Sequence, residues 1–216
     1  MTAPKVSVII VNYNEKRLLE KCLESLFKVN YENFEVIIVD NNSTDETVEF
    51  VTKNYPSIIV IKLDSNKGYA EPNNIGAKIA KGNYLLFLNN DTVVTPNFIS
   101  EMVQVLEADK KIAVCQSLLL KPDGSIDSSG DFIDNLGVVY NSKAKINEIR
   151  EISSARGASM LIRDDVFKKL NGFDEQFFVS FEDVDLCWRS WILGYRVLVI
   201  PKSVVYHLGG TTIKKM

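Results

Sequence analysis

Short apolar runs alternate with stretches of helical period through the first half of the chain. Residues 6–11 form the first such run and predict a strand. Leu18, Leu19, Cys22, Leu23, Leu26 and Phe27 then recur at helical spacing and predict an amphipathic helix. Residues 34–39 predict a second strand. Ser43 followed by Glu46 has the form of a capping box opening a helix to about Tyr55, and residues 58–63 read as a third strand. A polar stretch, 64–74, leads into a helix whose end is assigned to Gly82, because a residue without Cβ suits a helix C-terminus. Residues 84–88 predict the fourth strand. Pro96 suits the first turn of a helix carrying Phe98, Ile99, Met102, Val103 and Leu106, and a strand follows over 112–120. This alternation is that of an α/β protein with a central, mostly parallel sheet flanked by helices.

Over 121–152 the period is lost among turn residues, including Asp123-Gly124 and Ser128-Ser129-Gly130, and the segment reads as a loop-rich insertion. Regularity returns with a strand over 158–162 and a short helix over 164–170 stopped by Asn171-Gly172. A helix that begins at an acidic cluster ends at Gly194, and residues 195–200 and 204–207 read as strands running toward Gly209-Gly210. With the chain stopping soon after that glycine pair, the expectation is that it is cut from something longer.

Composition narrows the class. The chain has 216 residues, 46% hydrophobic and 25% charged, within the range of one large globular domain. A formal net charge of -3 argues against a nucleic-acid-binding surface, and the terminal Lys214-Lys215 pair is too small to change that. Cys22, Cys115 and Cys187 are odd in number, widely spaced and set among apolar neighbours, which suits buried free thiols in a reducing, cytoplasmic setting. The first apolar run is too short for a signal-peptide core or a membrane span.

Candidate chemistry lies where the strands end, since open sheets of this kind bind ligands beyond the carboxyl ends of their strands. Strand one ends in Asn12-Tyr13-Asn14, strand two in Asp40-Asn41-Asn42-Ser43-Thr44-Asp45, and strand four in Asn89-Asn90-Asp91-Thr92. An aromatic on such a rim stacks on a base and a neighbouring acid accepts hydrogen bonds from base or ribose; turn chemistry is the plainer explanation of each residue alone. Asp91 is placed to bind a hard divalent cation that neutralises a diphosphate, or to make an Asx-turn before Pro96. Neither a Gly-x-Gly-x-x-Gly fingerprint nor a phosphate-binding loop is present, so a dinucleotide dehydrogenase and a P-loop enzyme do not fit. In Glu182-Asp183-Val184-Asp185 three carboxylates crowd the start of a helix. Its N–H groups and dipole compensate negative charge, and Ser180 three residues before Asp183 resembles a capping box. Arg156 suits pairing with that cluster or with phosphate, a surface salt bridge being the alternative. Trp188 and Trp191, three apart, predict one buried helix face, while Phe173, Phe177 and Phe178 suit either an aromatic ligand platform or core.

Seven segments together carry a resemblance: Val6-Ser-Val-Ile-Ile-Val-Asn-Tyr-Asn14, Asp40-Asn-Asn-Ser-Thr-Asp45, Asn66-Lys-Gly-Tyr-Ala-Glu-Pro-Asn-Asn74, Asn89-Asn-Asp91, Arg156-Gly-Ala-Ser159, Gly172-Phe-Asp174 and Glu182-Asp-Val-Asp185. In this order the chain resembles a family 2 inverting glycosyltransferase, and within it the branch that includes rhamnosyltransferases and other builders of surface polysaccharide. The resemblance implies the GT-A fold, with residues 1–120 as a Rossmann-like half that binds a UDP- or dTDP-sugar and 121–216 as a loop-rich acceptor half. It also implies a divalent cation, magnesium or manganese, and a glycan or lipid-linked glycan acceptor, with membrane association only through a C-terminal part not present. By position, Tyr13 would face the nucleobase, Val11 would supply backbone contacts, and Asp40 would bond the base or ribose. Gly68, Asn74, Asn90 and Arg156 would line the donor pocket. Asp91 matches the metal-holding last acid of the Asp-x-Asp motif, whose first acid is replaced by Asn89. His207, the only histidine, falls where some relatives place a ligand to the metal or diphosphate, and serves equally well as a structural residue at a strand end. Asp183 matches the catalytic base, with Glu182 and Asp185 in support. The rival readings are a nucleotidyltransferase that makes nucleotide sugars, which usually opens with a Gly-rich basic loop absent here, and a non-catalytic nucleotide-sugar-binding module.

Overall fold

A computed structural model describes residues 3–209; Gly210 and the Lys214-Lys215 pair lie outside the described residues. In chain order the elements are β1 Val6–Asn12, α1 Lys16–Leu26, β2 Phe34–Asp40, α2 Thr47–Asn54, β3 Ile59–Lys62, α3 Ala70–Ile79, β4 Tyr84–Leu88, β5 Thr92–Val94, α4 Phe98–Ala108 and β6 Ile112–Leu120. They continue as β7 Ile126–Ser128, β8 Asp131–Ile133, β9 Val139–Asn141, β10 Arg150–Glu151, β11 Ser159–Arg163, α5 Asp164–Lys169, α6 Glu182–Ile192 and β12 Arg196–His207. One sheet runs through the molecule in the order β10-β12-β6-β11-β4-β1-β2-β3, with β5 on β12 and β7 on β6; β8 and β9 form a separate hairpin.

Strands β3, β2, β1 and β4 are parallel, and β11 joins β4 and β6 antiparallel to both. The second half therefore extends the sheet of the first. Side chains alternate between its faces as a period of two requires. Val8, Ile10, Ile38 and Leu86 face a layer built by Leu19, Cys22, Leu23 and Leu26 of α1 and by Phe98, Ile99, Met102 and Leu106 of α4. Ile9, Ile37, Val39 and Phe87 face the opposite layer, where Ala77 of α3, Phe167 of α5 and Leu186 and Cys187 of α6 pack. All three cysteines are buried free thiols.

Several local expectations change. The Ser43–Glu46 capping box does not form: Glu46 has a left-handed backbone and makes no side-chain cap. Asp45 takes that role, accepting from the Thr47 N–H at 3.3 Å and its hydroxyl at 2.5 Å. Helix α3 stops before Ala80, so Gly82 does not end it. A Cβ at Gly82 would lie 2.5 Å from the Ser7 nitrogen, and close backbone approach beneath β1 is what requires glycine there. Between Asp91 and Pro96 lies a short strand, β5, which begins at Thr92. The segment 121–152 is not without structure, since β7 to β10 lie in it as strands of two or three residues. Residues 196–207 make one bulged strand, β12, rather than two. The two tryptophans do not share a buried face. Trp188 is 51% exposed, while Trp191 packs on the core and donates its indole N–H to the Ser153 carbonyl at 3.1 Å. Phe173 is core. No helix among the described residues is long and apolar enough to cross a membrane.

Candidate active site

The carboxyl ends of β1 and β4, the segment before β11, the start of α6 and the end of β12 converge on one cleft of about 600 Å³. It gathers Val11, Tyr13, Gly68, Asn90, Asp91, Arg156, Glu182, Asp183 and His207. Asp40, Asn74 and Asp185 do not line it. Each has its polar atoms engaged elsewhere.

Asp40 is fully buried and closes the turn after β2, accepting from the Ser43 N–H at 2.8 Å, the Ser43 hydroxyl at 2.5 Å and Asn12 Nδ2 at 3.4 Å. Its neighbour Asn41 reaches the cleft instead. Asn41 donates Nδ2 to the Gly68 carbonyl at 2.7 Å and accepts the Lys67 N–H at 3.2 Å, which holds the 66–69 turn in place. Asn74 clamps α3 to the chain ahead of α6: its Nδ2 donates to the Phe173 carbonyl at 2.9 Å and its Oδ1 accepts the Phe173 N–H at 2.9 Å. Asp185 binds Arg189 at 2.6 Å, and that guanidinium donates to the Leu170 and Gly172 carbonyls at 2.5 and 2.9 Å. These three residues hold the walls of the cleft rather than face it.

The acidic cluster is not capped by Ser180. Ser180 and Phe181 both have φ of 73°, and the first turn of α6 has no side-chain cap. Bulky residues in the left-handed region are strained, and such strain gathers at functional sites. Asp183 is anchored from two sides: Oδ2 accepts the Gly157 N–H at 2.9 Å and Oδ1 the Val184 N–H at 2.8 Å. Burial raises its carboxyl above the usual range, opposed by those two N–H groups and by the Arg156 charge. Glu182 is 5% exposed and its Oε2 has no hydrogen-bond partner. Burial first, and the Asp183 charge second, push its carboxyl up to about 7. The compensation expected of the helix N-terminus does not hold Glu182 in the usual carboxylate range. Tyr69, absent from the expected set, donates its hydroxyl to the Gly157 carbonyl at 2.8 Å and so ties the 66–69 turn to the segment that anchors Asp183.

Arg156 pairs through Nε with both oxygens of Asp131, at 3.1 and 3.2 Å, inside the cleft rather than on open surface. Asp131 opens β8 in the segment that lacked any period, so no signal in the sequence marked it. Phe181, 56% exposed, stands at the rim and was likewise missed.

The expected metal ligands meet at one end of the cleft. Asp91 Oδ2 lies 3.4 Å from His207 Nε2, and His207 Nδ1 lies 2.9 Å from Asp127 Oδ2. Burial alone would disfavour the imidazolium, but Asp91 and Asp127 together raise its pKa to about 9. Asp91 Oδ1 is buried without a hydrogen-bond partner, an orphan that a cation would satisfy. No group of three or more His, Cys, Asp or Glu among the described residues is arranged to hold a metal ion. Two protein donors, one carboxylate and one imidazole, still fit a magnesium or manganese ion that takes its other ligands from water and a diphosphate.

The sequence profile described as Glycosyl transferase family 2 matches residues 7–170. Over 94% of its length the chain is 31% identical to the O-antigen biosynthesis protein RfbC of Myxococcus xanthus, and over 96% it is 24% identical to the poly-beta-1,6-N-acetyl-D-glucosamine synthase of Staphylococcus aureus. It spans 17% and 51% of those two proteins. Among solved structures, GalNAc-T7 with UDP, GalNAc and Mn2+ is similar at TM-score 0.80 and 20% identity, over 96% of this chain and 44% of that one. The mannosyltransferase PcManGT of Pyrobaculum calidifontis, in complex with GDP-Man and Mn2+, is similar at TM-score 0.75 and 19% identity, over 97% and 58%. The fold they share with this chain is the GT-A fold. With the profile covering most of the described residues, this chain belongs to glycosyl transferase family 2.

Proposed function

We propose that the cleft transfers a sugar from a nucleoside-diphosphate donor to a hydroxyl of a glycan or lipid-linked acceptor, with inversion at the anomeric carbon and in the service of polysaccharide synthesis. One observation carries the reading: the orphaned oxygen of Asp91 and the anchored carboxylate of Asp183 open on the same cleft from the two halves of the sheet. Residues 1–120 form the donor half, with Tyr13 stacked on the base and Val11, Gly68 and Asn90 against the nucleoside, while Arg156 reaches toward phosphate from the other half. Residues 121–216 form the acceptor half.

Asp183 takes the proton of the acceptor hydroxyl as that oxygen attacks the anomeric carbon from the face opposite the leaving diphosphate. Its two backbone N–H partners fix the carboxylate's direction, and its burial makes it a stronger base than an exposed aspartate. Glu182 supports acceptor binding beside it, and Asp185 acts through Arg189 by holding the start of α6 against the end of α5. Asp91 and His207 would hold magnesium or manganese, which when bound supplies charge stabilisation to the departing diphosphate. The three buried thiols suit a cytoplasmic setting.

Asp183→Asn tests the assignment of the base. Donor affinity by calorimetry should stay near wild type while nucleoside diphosphate release falls at least about 100-fold, the low end of a general-base contribution. Near-normal turnover would remove Asp183 from the role.

A further inference from the structure

The pairing of β7 with β6 passes over one residue. Ser128 lies opposite Leu119 and Ile126 opposite Leu120, so Asp127 between them has no partner in the register. A bulge of this kind leaves its extra residue unpaired, bends the strand and re-aims the side chain, and bulges are over-represented beside active sites. The Asp127 main-chain carbonyl accepts Asn141 Nδ2 at 2.7 Å, which ties the bulge to β9. Its carboxylate is aimed at a ring nitrogen: Oδ2 lies 2.9 Å from His207 Nδ1, and both side chains are only 20% exposed.

His207 is brought to that point by the sheet. It is the last residue of β12 and lies opposite Thr92 of β5, and the next residue, Leu208, donates its N–H to the Asp91 carbonyl at 2.9 Å. The ring thus stands between two carboxylates, Nδ1 toward Asp127 and Nε2 toward Asp91. Both carboxylates only accept hydrogen bonds and a neutral ring has one proton to give; the 2.9 Å approach to Asp127 is of ordinary hydrogen-bond length and the 3.4 Å approach to Asp91 is longer, so the geometry places the proton on Nδ1. Nε2 is then the nitrogen left to share a ligand with Asp91.

We propose that the bulged Asp127 is a positioning residue that holds His207 with its proton on Nδ1 and Nε2 turned to Asp91, keeping the two ready as a pair of donors for a divalent cation. The assignment rests on the metal reading given under Proposed function and deepens it. Carboxylates behind ligand histidines fix ring orientation and tautomer, and losing one typically costs about 10–100-fold in metal affinity.

The chain contains a single histidine, so nitrogen-15 labelling of its imidazoles yields one ring spin system, that of His207. In metal-free protein held at a pH where the ring is neutral, the wild type should carry its proton on Nδ1, and D127A should move it to Nε2. In parallel, Mn2+ is titrated with and without UDP and the free ion followed by electron paramagnetic resonance. D127A should bind Mn2+ at least about 10-fold more weakly. D127N, whose amide oxygen still accepts the Nδ1 proton, should recover most of that loss. Backbone amide spectra check the fold, and Asp127→Ser, too short to reach the ring, replaces D127A if the alanine variant does not fold. A wild-type ring with its proton on Nε2 overturns the assignment. Equal Mn2+ affinity in wild type and D127A overturns it while leaving the metal reading intact. A wild type that binds no Mn2+ in either condition overturns the metal reading and the assignment with it.

Discussion

Glu182 and Asp183 sit side by side at the start of one helix, yet their carboxylates have different fates. Asp183 is held by two backbone N–H groups, whereas Glu182 keeps a buried oxygen with no partner. The unpartnered acid makes a pH-dependent term. Its carboxyl is lifted from 4.5 to about 7 in the folded protein, so the folded state binds the proton more tightly than the unfolded chain. Its contribution to stability is therefore full below about pH 4.5 and is lost as pH rises through about 7. Thermal unfolding from pH 5 to 8 should show the wild type losing stability relative to Glu182→Gln, which cannot ionise. Parallel curves for the two proteins would contradict the burial of a protonatable Glu182. At this scale the sequence marked where Asp40, Asn74 and Asp185 stand but not where they point. A motif gives position along the chain; direction came from partners such as Ser43, Phe173 and Arg189, which only the fold supplies.

The 66–69 turn shows how one element transmits its shape to another. Gly68 has φ of 79°, and a Cβ there would lie 2.0 Å from the Phe178 carbonyl oxygen, which already accepts the Tyr69 N–H at 2.7 Å. Alanine at Gly68 would be strained in backbone and would push away the segment that leads into Ser180, Phe181 and the acidic cluster. Gly68→Ala should cost more than about 1 kcal/mol in denaturant unfolding and weaken UDP binding together with it. Wild-type stability and affinity in that variant would sink this coupling. Elements of four or more residues with a steady apolar period, β1, β2, β4, β6, α1 and α4, were legible from the sequence. The strands β7 to β10 were not. Two or three residues are too few to display a period, and what holds β8 to β9 is pairing within a hairpin rather than an apolar face. Both capping boxes failed for a local reason: Ser180, the expected cap, takes left-handed backbone where a cap needs an extended one, and Glu46, expected in the first helical turn, is left-handed where the box needs a helical residue.

Across the whole molecule, the sheet joins two jobs. Strands β2, β1 and β4 present their carboxyl ends to a nucleotide-sized space, and β11, antiparallel to β4, returns the chain so that residues 156–158 and α6 close the same space from the other side. Parallel alternation was visible in the sequence; the antiparallel return was not, because one buried strand such as β11 reads the same in either direction. The bulge at Asp127 was equally hidden, being a property of register between two strands. In the proposed function, one cleft pairs a cation-assisted donor site at Asp91 with a base at Asp183. The most direct test is nucleoside diphosphate release from a panel of UDP-, dTDP- and GDP-sugars, with and without Mn2+, in wild type, Asp91→Ala and Asp183→Asn. Release from at least one donor should require the cation and be lost in both variants. Release of pyrophosphate instead, or cation-independent release that both variants retain, would contradict it.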